Sequence, residues 1–192
     1  MGGFLALAAV TGCVDASGKF GEFDDRVGTV DASTADRPPS MVYDINGPSL
    51  AAVDPAFIPG SDPSTFVQFL ATWTLREQPD GTVMVDGSLQ PLSVTDRTPV
   101  GDALVASGMP VNTDGTFTGT FGGQIPGEAN PVSGTRQPIN SIINAQIRSE
   151  DLVCGTVNGT VAGIDLAGST FAALRVTDTT PANLPVPQGN CP

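Results

Sequence analysis

The chain has 192 residues, 40% of them hydrophobic, and sets 20 acidic side chains against 8 basic ones for a net charge of −12. That length and apolar share suffice for one domain with a sizeable core. So acidic a surface repels nucleic-acid phosphates and anionic headgroups, which argues against nucleic acid as a partner.

The chain opens on an apolar run, Phe4 to Val10, that ends in Val10-Thr11-Gly12-Cys13. The run is too short to cross a bilayer, which takes about 20 apolar residues. An aliphatic residue, two small residues and a cysteine resemble the lipobox of bacterial lipoproteins. The basic residues that normally precede such a run are missing here, and a start placed upstream would supply them. The resemblance implies that residues 1–12 are a signal peptide and that Cys13 becomes the acylated N-terminus. The mature protein would then be anchored to a membrane of the bacterial cell envelope. Val14 rather than Asp follows the cysteine, which points to the outer membrane. With Cys13 lipidated, Cys154 and Cys191 are the one pair left, and an oxidising exported compartment joins them in a disulfide. Neither belongs to a C-x-x-C pattern, the signature of metal or redox sites.

Residues 13–40 are rich in Gly, Asp and Pro and poor in apolar side chains, so they read as a flexible tether with a reach of roughly 30 Å. The exceptions are Phe20, Phe23 and Val27, which are either solvated or docked on the domain. The domain occupies 41–192. Met41 to Ile45 alternates like a strand that Asn46-Gly47-Pro48 ends. Leu50-Ala51-Ala52-Val53 fits a helical turn or part of a strand, and Pro-containing turns cut up the residues to 64. From 65 to 77, Val67, Phe69, Ala71, Trp73 and Leu75 share one parity, so they face a core while Gln68, Thr72, Thr74 and Arg76 face water. Pro79-Asp80-Gly81 turns the chain into a returning strand, Thr82 to Leu89, that Pro91 closes or puts at an edge.

A second hairpin centres on Asp114-Gly115, with Leu104-Val105 and Val111 before it and Thr116 to Phe121 after it. Phe117 and Phe121 face one way, and Gly122-Gly123 ends the strand. After a Pro- and Gly-rich loop, Ile139, Ile143 and Ile147 mark a strand, with an amphipathic helix as the rival. A third hairpin is expected at Asn158-Gly159, a pair suited to a type I′ turn. Thr170 to Val176 is the final strand, followed by an extended tail through Pro181, Pro185 and Pro187. Eight or nine short strands with one apolar face predict an all-β protein: a single antiparallel β-sandwich, with a small β-barrel as the alternative.

The chain has no histidine, which excludes Ser-His-Asp and Cys-His catalysis, imidazole acid–base chemistry and histidine-based zinc sites. Its single lysine, Lys19, lies in the tether, so Gly168-Ser169-Thr170 has no activating base and reads as a turn and strand. Paired carboxylates can hydrolyse glycosides, and Glu77, Asp86, Glu128, Glu150 and Asp151 are the candidates, but their spacing selects no pair. Asn112-Thr113-Asp114-Gly115 resembles the middle of an EF-hand loop, yet Pro110 stands where an Asp is required. Asn158-Gly159-Thr160 matches a glycosylation pattern that a turn explains better. Trp73 is a sugar-stacking candidate whose parity places it in the core instead. These readings predict a non-enzymatic, lipid-anchored envelope protein that needs no cofactor or metal and has a binding or structural role towards an envelope protein or glycan. The alternative is a carbohydrate-binding or carboxylate-dependent carbohydrate-processing protein.

Overall fold

The computed structural model describes residues 42–60 and 62–192. Met41, the tether and the lipobox, Cys13 included, lie outside the described residues. Nine strands follow one another: β1 (Gly47–Asp54), β2 (Val67–Glu77), β3 (Val83–Pro91), β4 (Leu104–Val111), β5 (Thr116–Ile125), β6 (Gln137–Ser149), β7 (Leu152–Val161), β8 (Ile164–Asp165) and β9 (Ser169–Arg175). Each strand from β1 to β7 pairs antiparallel with the next, β7 pairs with β9, and β9 returns to β1. Eight strands therefore close into an up-and-down barrel, and β8 is an extra short strand paired with the far end of β7.

The expected sandwich is thus corrected to the barrel. Alternation shows only that each strand buries one face. It cannot tell two sheets covering each other from one sheet closed on itself. Closure here depends on a pairing between the first and last long strands, Ala51 opposite Ala173, which no local pattern encodes.

The two best-patterned hairpins form as expected. At both, the Asp side chain accepts the backbone N–H of the Thr two residues on, Asp80 from Thr82 at 2.9 Å and Asp114 from Thr116 at 3.0 Å. The following Gly81 and Gly115 adopt φ of 89° and 79°, open to glycine at little cost. Residues 137–149 are strand, not helix, with Ile143 and Ile147 buried.

Three expectations fail. Met41 to Ile45 was to be a strand, but the described residues 42–46 are irregular and the strand begins at Gly47. Leu50, Ala51 and Ala52 are all buried, because the inner face meets the barrel core and the outer face meets the C-terminal tail. A strand covered on both sides has no alternation to read. Secondly, β5 does not stop at Gly122-Gly123 but runs on to Ile125, which is buried. Thirdly, Asn158-Gly159 is no turn. β7 passes straight through it, and the hairpin falls at Ala162-Gly163, both at positive φ (52° and 81°). Gly159 serves another purpose: a Cβ there would lie 2.1 Å from the Asn140 carbonyl oxygen of β6.

Inside, the lower half of the barrel is filled by Trp73, Phe117, Phe121, Met109 and Ile147, with Ile45 of the entering chain buried against them. Trp73 is 1% exposed and meets Phe117 edge-on, ring centres 5.9 Å apart. Opposite Trp73 on β3 stands Gly87, where a Cβ would come within 2.8 Å of the indole. Large and small residues alternate across strands so that the rings fit. Outside, the tail after β9 covers a second apolar cluster of Leu50, Leu92, Val176 and Leu184. Arg97 clamps it by donating to the carbonyls of Leu184 and Pro185, both at 2.9 Å. Cys191 closes it onto Cys154 of β7, with Cα atoms 5.4 Å apart and 37 residues of separation. In the chain-entropy picture a loop of that size stabilises the fold by about 4 kcal/mol.

Candidate functional site: an apolar cavity at the barrel mouth

The two ends of the barrel are built differently. One end has tight connections, residues 78–82, 112–115 and 150–151, and it receives the entering chain. There Arg175 donates to the carbonyls of Glu150, Asn46 and Asp44. The other end carries the long connections 55–66, 92–103 and 126–136 and the turn before β9. Ligand sites in barrels form at the end with long loops, where the wall is not sealed by hairpins.

At that end the interior is not filled. A cavity of about 150 Å³ lies between Val53, Phe69, Leu104, Ile143, Val157 and Leu166, among others. The same parity that buries Trp73 lower in β2 brings Phe69 into this cavity, and β6 brings Ile139, Ser141 and Ile143 by the same rule. Val132 and Ile164, 51% and 47% exposed, also line it, so the cavity reaches solvent at the mouth. Four polar side chains border it: Asn130, Ser133, Gln137 and Ser141. Among the described residues that line it, none is charged. An engineered cavity of similar size with a similar lining stays dry and admits benzene or xenon.

The mouth loop is preorganised by Asn130, which is 8% exposed. Its Nδ2 donates to Ser133 Oγ at 2.8 Å and to the Thr135 carbonyl at 2.9 Å. Its Oδ1 accepts from the N–H of Val132 at 3.0 Å and of Ser133 at 3.2 Å. One side chain thus ties three residues of the rim, Val132, Ser133 and Thr135, in place. Ser169, at the start of β9, fixes another mouth loop by accepting the Ala56 N–H at 3.0 Å. Gly168-Ser169-Thr170 is therefore a turn and strand start, as its sequence indicates.

The carboxylates do not converge. Glu77 and Asp86 belong to β2 and β3, where Asp86 pairs with Arg76 at 2.6 Å and accepts the Gly108 N–H. Glu150 and Asp151 form the exposed β6–β7 turn, and Glu128 lies on the mouth loop at the opposite end. None of the five lines the cavity. Among the described residues no three His, Cys, Asp or Glu side chains gather as a metal site. In the EF-hand-like stretch Asp114 is occupied by Thr116, accepting both its N–H and its hydroxyl. Asp62, Asp96, Asp114 and Asp178 each hold their carboxyl below the ordinary range. In all four the cause is hydrogen bonding from a Ser or Thr two residues on. The recurrent Asp-x-Thr or Asp-x-Ser spacing was legible in the sequence and marks turns, not chemistry.

The wall itself is polar on its outer side. Thr118 and Thr120 of β5, Asn140 and Asn144 of β6, and Thr156 and Thr160 of β7 are all exposed. A barrel that spans a bilayer shows lipid an apolar outer band and is polar within. This one is apolar within and, on β5 to β7, largely polar without, although Val105 of β4 and Ile142 of β6 are exposed and the tail covers an apolar cluster on the outer face. No helix among the described residues is long and apolar enough to cross a membrane. Set against known proteins, the chain matches no family model, no curated protein and no solved structure.

Proposed function

We propose that the protein is a non-enzymatic binder that takes a small apolar molecule into the mouth of its barrel, and that a lipid on Cys13 holds it at the bacterial cell envelope, in the outer membrane. The observation that supports the binding role is the unfilled apolar cavity of about 150 Å³ at the end with long loops. Native interiors are close-packed, and large voids are few. A void left in an otherwise ring-filled barrel, open at a preorganised rim, fits a binding site better than a packing fault. The carbohydrate reading finds less support, because Trp73 is 1% exposed and cannot stack on a sugar.

Toluene titrated into the folded protein, followed by calorimetry, tests the binding role. Val157→Phe should fill the cavity from the β7 side and abolish the heat of binding while the Trp73 near-ultraviolet signal stays native. No binding to the unaltered protein, or equal binding to the variant, would overturn the reading. For the anchor, Cys13→Ser in a full precursor should move the protein from the detergent phase to the aqueous phase.

A further inference from the structure

We infer that the cavity accepts only an uncharged, ring-sized end of its ligand, any charge that the ligand carries remaining outside the mouth. This rests on the ligand-binding reading of the barrel and narrows the class of ligand. The side chains that border the cavity offer no counter-charge. The five arginines of the described region are placed elsewhere. Arg76 is paired with Asp86 on the outer wall. Arg97 is bound to Gln68 Oε1 and to the tail carbonyls. Arg175 is bound to carbonyls at the closed end. Arg148 borders an outer groove beside the disulfide. Arg136 is exposed in the loop just before β6 and does not line the cavity.

The polar groups at the rim are already engaged. Both polar atoms of the Asn130 side chain make two bonds each. Ser141 Oγ, deeper in, donates to the Phe121 carbonyl at 3.2 Å. Gln137 Nε2 donates to Thr135 Oγ1 at 2.8 Å. A carboxylate or ammonium drawn into the cavity would lose its water and find no opposite charge among the described lining residues, and a carboxylate would in addition find most of the rim donors already used, which is strongly unfavourable. An apolar ring loses nothing of that kind, and its size matches the space. A charge carried on a linker long enough to pass Val132 and Ile164 stays hydrated and costs little.

A matched series of probes separates these cases in the full chain: toluene, benzoate, benzylammonium and 4-phenylbutyrate. Binding is read by calorimetry and by the methyl resonances of Leu104, Ile143 and Val157. Toluene should bind and shift those methyls. Benzoate and benzylammonium should bind at least about 100-fold more weakly at pH 7. In 4-phenylbutyrate the linker should restore affinity to within about tenfold of toluene, with the same methyls shifted. Gln137→Arg places a cation at the rim, so it should strengthen benzoate at least about tenfold and leave benzylammonium weak. Benzoate binding the unaltered protein as tightly as toluene would overturn this inference while leaving the binding role intact. A toluene titration that moves none of the three methyls would overturn both.

Discussion

The closed half and the mouth half of the barrel share one wall and one alternation, and they differ in what they hold. In the closed half Trp73, Phe117 and Phe121 fill the section, and glycine is placed where a ring needs room, as Gly87 is beside Trp73. In the mouth half aliphatic side chains such as Leu104, Ile143 and Val157 face one another across a gap of about 150 Å³. Eight strands enclose a section just wide enough for side chains to fill or for one small ligand. The difference teaches that side-chain volume, not strand number or register, decides which of the two a given level of a barrel becomes. The filled half is close-packed, and the mouth half keeps the space that the proposed ligand would take.

Removing the largest ring breaks the comparison most severely. Trp73→Ala should cost about 3–5 kcal/mol, through lost burial and the cavity left behind, and such a loss can unfold a marginal domain. Urea unfolding followed by far-ultraviolet circular dichroism measures it. Trp73→Phe should cost distinctly less, since the indole Nε1 has no hydrogen-bond partner to lose among the described residues.

Much of the closed half was legible in the sequence and little of the mouth half was. The parity of Ala71 and Trp73 and that of Phe117 and Phe121 named the inward faces, and Asp80-Gly81 and Asp114-Gly115 named the turns. Those signals are local. Leu50 to Val53 of β1 read equally as a helical turn or part of a strand, because the tail covers the outer face and erases the alternation. Asn158-Gly159 misled because a glycine demanded by close strand approach looks the same in sequence as one demanded by a turn. The cavity was out of reach for a deeper reason: it is the volume left over by side chains from all around the barrel, and no stretch of chain contains it. The lipobox is local too, but Cys13 lies outside the described residues.

Adding a single methyl should sharpen the comparison. Gly87→Ala would press on Trp73 and Phe121, at 2.8 and 3.1 Å from the new carbon. Overpacking of that kind should cost about 1–3 kcal/mol. Val157→Phe, which adds far more volume but at the cavity, should leave stability within about 1 kcal/mol of the parent. Parallel denaturation curves of the two variants give the contrast, and equal losses would erase the distinction between the halves.

The smallest effect concerns the turns, and it should not distinguish the two ends. Asp96 on a mouth loop and Asp114 on a closed-end hairpin both have folded-state acidities lowered by Thr hydrogen bonds. Each therefore contributes stability above its unfolded value of about 3.9, lost as pH falls through the lower folded value. Asp96→Asn and Asp114→Asn should each flatten the acid limb of stability below about pH 4 and barely change the pH dependence above about pH 5. Denaturant midpoints across that range check it.

The account stands most directly on the gap in the mouth half. A crystal of the barrel held under xenon pressure should show a xenon peak between Phe69, Leu104, Ile143 and Val157, and none beside Trp73. A mouth half that takes up no xenon, or one filled by ordered water, would contradict it.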